Sequence, residues 1–352
     1  MTDEIIFERI GEWGVVTLNR PETLNSLTFD MVKRMRAKLL DWERAAAVKA
    51  VFVKGAGDKA FSAGADIRKL HDDGKKDPAG TSEFFREEYR LNALIHHYVK
   101  PYVALIDGVV MGGGVGLSVH GDFRIAGDRT LFAMPETAIG LFPDVGAGHF
   151  LPRLHDGLGL YYALTGARAK AADCMAAGLA THYVPTDHAP ALIRELMGLS
   201  FGAHPHGDIE AALDGYADDP GEAHVNDIRP ALKNLFTGHP TFDHFWSALK
   251  ADGHDVAGDM LRVLSRMSPT SMKLTYQQMR RGASLDFDET MKMEFRMARR
   301  VMEGHDFFEG VRAVIIDKDK NPRWSPLTVE GVSHAAIARY FEPLGVEDLV
   351  LP

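Results

Sequence analysis

Four of the five residues from 112 to 116 are glycine (Gly112, Gly113, Gly114 and Gly116), set in an otherwise apolar stretch. Nothing else in the chain limits its fold so much. Residues 103–106 read as a buried strand before the run, and the apolar pattern resumes at Leu117 and Val119 after it. A second short strand is expected over 123–126. An alternating segment, Leu131, Phe132, Ala133 and Met134, then delivers Pro135 and a carboxylate, Glu136. Asp144 follows eight residues later, close to Pro143 and Gly146. Glycine lets backbone N–H groups approach a ligand with no side chain in the way. A helix that starts at such a turn adds the positive end of its dipole. Donors of this kind beside a carboxylate are the parts that acyl transfer needs: an oxyanion hole with an acid, base or nucleophile.

The rest of the chain supplies the scaffold. Short strands are expected over 5–10 and 14–19. From Met31, apolar residues at Val32, Met35, Leu39 and Trp42 have helical spacing, with Thr28 or Asp30 near the start. Residues 50–54 read as another buried strand. A small-residue turn, Ala63-Gly64-Ala65-Asp66, opens onto a helix at Ile67. This alternation of strands, turns and helices favours an α/β core. A helix over 81–98, capped by Thr81 or Ser82, carries Phe84, Leu91, Leu94, Ile95 and Tyr98 on one face. Glu88 falls on that same face. A carboxylate there is costly unless paired, so it is either a salt-bridged edge residue or a pocket carboxylate. Further helices are expected over 161–164, 169–177, 271–281 and 287–302. The last of these carries Met291, Phe295, Ala298 and Met302 in a stripe of core or interface type.

Composition excludes several classes. The net charge of −9 does not suit a nucleic-acid surface. The single cysteine, Cys174, rules out an intramolecular disulfide and points to a reducing compartment. No run of about 18 apolar residues suggests a membrane span. The acidic start lacks a signal-peptide core, and a cytoplasmic location is expected. The histidines show no spacing that suits a metal. The glycine run is not a dinucleotide fingerprint, because position 117 is Leu117, and no Gly-Lys-Ser/Thr follows it. A nucleophile elbow around Ser118 fails at His120, where glycine is required.

Several long motifs carry a family resemblance. They are Phe84-Phe85-Arg86-Glu87-Glu88-Tyr89, Met111-Gly112-Gly113-Gly114-Val115-Gly116-Leu117-Ser118, and the segment from Met134 through Glu136 and Asp144 to Gly146. Gly304-His305-Asp306-Phe307 and the stretch from Glu309 to Val314 add to them. On these the chain resembles the crotonase (enoyl-CoA hydratase/isomerase) superfamily, and within it the branch of CoA thioester hydrolases. The resemblance implies an α/β fold, a crotonase-like spiral of ββα units with a C-terminal helical region. The expected organisation is a catalytic core over 1–200, a variable polar insertion over 201–260, and a helical region over 261–352 covering the active site.

By motif position, the resemblance implies that the backbone N–H groups of Ala65 and Gly113 hold a thioester carbonyl. The turn of Ala63, Gly64 and Asp66 would hold the adenine end of coenzyme A. Hydratases of the superfamily carry two glutamates. This chain keeps the second, Glu136, and has Gly116 where the first would stand. The hydrolase branch is similar to this chain in having Asp144 and Glu88 instead. Glu136 is then the nucleophile or general base, Asp144 orients Glu136, the water or the substrate hydroxyl, and Glu88 lines the acyl pocket. The expected activity is hydrolysis of a short branched 3-hydroxyacyl-CoA in valine breakdown. The alternatives are an enoyl-CoA hydratase or isomerase and a non-catalytic acyl-CoA-binding protein. The expected partner is the small-molecule thioester, with no metal or separate cofactor, no nucleic acid and no membrane, and a homo-oligomer is possible in this family.

Overall fold

The computed structural model describes residues 3–351. The chain divides into two compact units: residues 1–65, 90–132 and 168–224 form one, and residues 66–89, 133–167 and 225–352 the other. Among the described residues the strands are β1 (Ile5–Ile10), β2 (Trp13–Leu18), β3 (Ala50–Gly55), β4 (Ala60–Ser62), β5 (Tyr102–Leu105), β6 (Val109–Met111), β7 (Phe123–Ala126), β8 (Leu131–Ala133), β9 (Ala169–Lys170) and β10 (His182–Tyr183).

The first unit is built on two sheets. The larger has the order β1-β2-β3-β5-β7-β10 and the smaller β4-β6-β8-β9. β1 and β2 are antiparallel, and β2, β3, β5, β7 and β10 run parallel. The strands therefore come in pairs along the chain. β3, β5 and β7 enter the large sheet, and the strand after each, β4, β6 or β8, enters the small one before the next helix. That repeat is the ββα spiral expected from the sequence. All six residues of β2 are buried, as expected for a strand covered on both faces. The Phe29–Arg44 helix starts at Thr28, whose hydroxyl accepts from Met31 N at 3.3 Å, and buries Met31, Val32, Met35, Leu39 and Trp42. The Ala189–Gly198 and Pro205–Asp214 helices send Leu192, Leu196, Ile209 and Leu213 into one cluster with Trp13, Phe52, Val103 and Ile125.

The second unit is mostly helical. The Pro269–Gly282 helix is capped by Ser268 and the Phe287–Val301 helix by Asp286. An aromatic column of Phe236, Phe245 and Tyr276, with centroids 4.9 and 5.6 Å apart, ties the Val225–Phe236, Phe242–Ala251 and Pro269–Gly282 helices together. Residues 201–224 lie with the first unit and 225–260 with the second. The expected helix over 81–98 runs instead over Pro78–His96. Thr81 is therefore inside it and donates its hydroxyl back to Asp77 O at 2.9 Å rather than capping it. Among the described residues, no helix is long and apolar enough to cross a membrane.

One fastener sets the turn that precedes the Ile67–Gly74 helix. Leu24 and Asn25 both have left-handed backbone (φ +55° and +54°). Fully buried Asn25 donates from its amide to Ala56 O (3.0 Å) and Ala60 O (2.8 Å), and its Oδ1 accepts from Arg20 N. Its own carbonyl accepts from Ser62 Oγ at 2.9 Å. Asparagine tolerates this backbone better than most residues. Asn25→Ala should therefore destabilise the protein by about 1–3 kcal/mol, because it leaves buried carbonyls unpaired. Urea denaturation followed by circular dichroism measures this, and an unchanged midpoint would contradict the fastening role.

Candidate active site

In the first unit the glycine run meets residues 63–65. Gly64 has φ +90°, and a Cβ there would stand 2.8 Å from Met111 O and 3.0 Å from Gly113 N. A Cβ on Gly114 would lie 2.3 Å from Ser62 O. These glycines are needed for close approach of the two turns. The 63–66 turn is pinned by Ala63 N donating to Leu24 O, Leu27 N to Gly64 O, and Gly64 N to Ser62 Oγ. Gly113 opens the short Gly113–Gly116 helix, so its N–H has no acceptor within that helix. Among the described residues, neither the Gly113 N–H nor the Ala65 N–H finds a hydrogen-bond acceptor. Asp66 plays a structural part, since its carboxylate accepts from Lys69 N at 3.3 Å and caps the Ile67–Gly74 helix.

Two other nucleophile candidates are ruled out by their surroundings. Ser118 is buried and donates its hydroxyl to Gly114 O and Val115 O within its own turn. Burial pushes the Cys174 thiol up to about 12, far from a reactive thiolate.

The carboxylates gather in the second unit. β8 runs into Pro135, and a 3-10 turn, Glu136–Ile139, starts at Glu136 and ends at Gly140 in left-handed backbone. Thr137 locks the turn by donating its hydroxyl to Leu164 O at 3.0 Å. Asp144 follows, and after it Val145 and Gly146 take φ +54° and +89°. Left-handed backbone is uncommon for a β-branched residue and persists only where the surroundings impose it. Glu136 and Asp144 are each 5% exposed and Glu88 1%. The Tyr89 hydroxyl donates to Asp144 Oδ2 at 2.8 Å. Glu88 Oε1 and Glu136 Oε2 are buried with no partner.

Burial, together with the charges of Asp144 and Glu136, holds the Glu88 carboxyl well above the usual carboxylate range. Burial and the charge of Asp144 raise Glu136, against a pull from its own backbone N–H. Asp144 is pushed up to about 6 by burial, with the Tyr89 hydroxyl working the other way. Three carboxyl groups that feel one another in one buried site cannot all ionise freely. Such a set divides into proton donors and acceptors, which is the arrangement acid–base chemistry uses. The sequence grouped these three residues through the resemblance. It singled out neither Tyr89, nor Glu294 and Gln278, which hold the Asp144 loop. Glu294 carried the same signal as Glu88: an acidic residue three after Met291 and four before Ala298 on an apolar stripe.

One unit thus carries a strand-pair spiral with two N–H groups that lack acceptors among the described residues, and the other a buried carboxylate cluster. The enoyl-CoA hydratase/isomerase family matches residues 13–341, and the chain belongs to that family. It is 46% identical to the mitochondrial 3-hydroxyisobutyryl-CoA hydrolase of Danio rerio, over 99% of this chain and 92% of the relative. It is 43% identical to the protein of that name from Homo sapiens, over 99% and 90%. Among solved structures it resembles a carnitinyl-CoA dehydratase from Mycobacterium thermoresistibile, with TM-score 0.91 and 36% identity over 99% of each chain. An enoyl-CoA hydratase from Rhodobacter sphaeroides gives TM-score 0.90 and 35% identity over 99% of this chain and 100% of the other. The cytoplasmic expectation does not stand, because the relatives at 43–46% identity are named as mitochondrial.

The raised carboxyls have a thermodynamic consequence. Asp144 titrates at 3.8 ordinarily and at about 6 here, so between those values the folded state binds more protons than the unfolded one. Stability then falls as pH rises through that window and stays lowered above it. Glu88, also raised, acts in the same direction. Glu88→Gln should therefore raise the Tm at about pH 8, by roughly 2–4 °C per kcal/mol relieved, and the gain should disappear near pH 4. Thermal unfolding at both pH values checks this. A lower Tm at pH 8 would instead mark Glu88 as a salt-bridged structural residue.

Proposed function

We propose that this protein hydrolyses 3-hydroxyisobutyryl-CoA to 3-hydroxyisobutyrate and coenzyme A, the activity its relatives carry in their names, and that the reaction serves valine breakdown. The observation that carries this reading over a hydratase is Gly116. Hydration of an enoyl thioester wants two carboxylates placed around one water, and the buried Gly113–Gly116 turn offers none. The carboxylates of this chain lie instead in the Glu88, Glu136 and Asp144 cluster. Hydratase activity is the second reading, favoured by the names of the two similar solved structures.

In the proposed reaction the N–H groups of Ala65 and Gly113 donate to the thioester oxygen and take up its charge in the tetrahedral intermediate. Ionised Glu136 acts by one of two routes. As a base it takes a proton from water, and the hydroxide adds to the carbonyl carbon. The C–S bond then breaks, and the thiolate leaves and takes the proton. As a nucleophile it adds to the carbonyl carbon itself, expels the thiolate and forms a mixed anhydride that water hydrolyses. Coenzyme A leaves readily in either case, since a free thiol titrates near about 8.5. Asp144 orients Glu136 or the water, and Glu88 meets the substrate hydroxyl. Coenzyme A enters as part of the substrate, and neither route calls for a metal.

The test compares thiol release from 3-hydroxyisobutyryl-CoA with loss of the enoyl absorbance of crotonyl-CoA. Thiol release should be faster by orders of magnitude, and comparable rates would sink the hydrolase reading. Glu136→Ala should lower kcat by about 10²–10⁴-fold for loss of a general base. KM should stay nearly constant, because the N–H groups and the coenzyme A contacts remain. A folded Glu136→Ala enzyme within a few-fold of wild type would remove Glu136 from the chemistry.

A further inference from the structure

Asp144 sits in a loop whose conformation its own residues do not favour. Val145 and Gly146 are both left-handed, so something outside the loop must hold it. Glu294, on the Phe287–Val301 helix, has no solvent exposure. Its Oε2 accepts from Gly146 N and its Oε1 from Gly148 N, each at 2.7 Å. Gln278, on the Pro269–Gly282 helix, donates from its amide both to Glu294 Oε1 (3.0 Å) and to Pro143 O (2.7 Å). The backbone on both sides of Asp144 is thus gripped, at 143 by Gln278 and at 146 and 148 by Glu294.

Glycine at two positions makes this grip possible. A Cβ on Gly148 would lie 2.9 Å from Glu294 Oε1, and one on Gly282 would lie 1.9 Å from Gly148 O. The Phe287–Val301 helix also supports the Asp144 carboxylate. Phe295 meets Tyr89 edge to face at 6.5 Å, and Tyr89 donates to Asp144. Glu294 is acceptor-only when ionised, which suits two convergent N–H donors. Burial, and secondarily the charge of Asp144, push its carboxyl up to about 8, while the Gly146 and Gly148 N–H groups and the Gln278 amide pull it down.

We propose that Glu294 and Gln278 form a positioning pair that fixes the Asp144 loop for catalysis. The pair touches neither thioester nor water and acts through Asp144. This rests on the hydrolase reading and assigns a role to two residues outside the expected site. Glu294→Gln keeps the shape but turns an amide N–H₂ toward one of the two backbone donors, so one bond becomes a clash of donors and the loop must shift. A displacement of about 1 Å at a reacting group can cost about 10²-fold in rate.

The experiment is a double-mutant cycle on thiol release from 3-hydroxyisobutyryl-CoA, using Glu294→Gln, Asp144→Asn and the pair, with kcat, KM and Tm measured for each. The expected result for Glu294→Gln is a kcat loss of about 10–100-fold with KM within about threefold. In the Asp144→Asn background the same change should alter kcat by less than about twofold, the non-additivity of residues acting as one unit. A merely structural residue would lower Tm and leave kcat in place, and that result overturns the proposal. So do losses that multiply in the pair. Should Glu294→Gln fail to fold, Gln278→Met removes only the amide donor. It should give a kcat loss that likewise disappears in the Asp144→Asn background, and a multiplicative loss overturns the proposal there too. A wild-type protein that releases no thiol contradicts the hydrolase reading and the proposal together, whereas an active wild type with multiplicative losses overturns the positioning role alone.

Discussion

Moving a carboxylate out of water costs several kcal/mol even after the surroundings relax. The helical unit nonetheless buries Glu88, Glu136, Asp144 and Glu294, each at least 95% covered. Much of its architecture follows from that constraint. Glu294 is satisfied by two backbone N–H groups and an amide, and it stabilises an otherwise unfavourable loop. Asp144 accepts from the Tyr89 hydroxyl. Glu136 and Glu88 each keep one oxygen with nothing to bond. The gradient runs from a fully paired structural carboxylate to two that are left open. Open, buried, mutually repelling carboxyls are poor for stability and suited to holding a water or a substrate hydroxyl. Perturbed titration in a cluster of this kind is a mark of a functional site.

The strand-rich unit solves the complementary problem. A thioester oxygen that becomes an alkoxide needs donors already in place. The Gly113 N–H is free because it begins a helix, and the Ala65 N–H is free because its turn bonds through its neighbours. Side chains at 64 or 114 would push the two turns apart. Gly116 then gains its chemical meaning from what is missing. In the proposed reaction, a position that offers no carboxylate leaves the handling of water to Glu136 and the Asp144 loop.

How much of this was legible in the sequence depended on the range of the interaction. β7 was placed at 123–126 by its apolar residues and turn flanks, and the Phe29–Arg44 helix by its stripe and Thr28, because local patterns decide both. The start of the Pro78–His96 helix was missed. Thr81 looks like a cap, but its hydroxyl bonds back along a helix already under way. Glu88, Glu136 and Asp144 were found through motif resemblance, and only Glu88 also through its place on an apolar face. Glu294 lies 146 residues from Gly148 along the chain, and no spacing rule reaches that far. Its position among Met291, Phe295 and Ala298 posed the same question as Glu88, yet methionine-rich stripes usually mean packing alone. Tyr89 was hidden for another reason: a tyrosine inside an apolar helix face passes as core, and only its hydroxyl's 2.8 Å bond to Asp144 sets it apart.

Burial of the cluster and ionisation of Glu136 are tied together, and the pH dependence of kcat/KM on the free enzyme measures that tie. The substrate should be a pantetheine thioester of 3-hydroxyisobutyrate, which has no phosphate to titrate. Glu136 must be ionised to act as base or nucleophile, and its carboxyl is held well above the usual range, beside an Asp144 raised to about 6. Rate should therefore fall as pH drops through an apparent pKa well above the usual carboxylate range, with Glu136→Gln removing the limb along with the activity. A limb near about 4.3, the value of a solvated glutamate, would mean that the working carboxylate is not a member of this buried cluster.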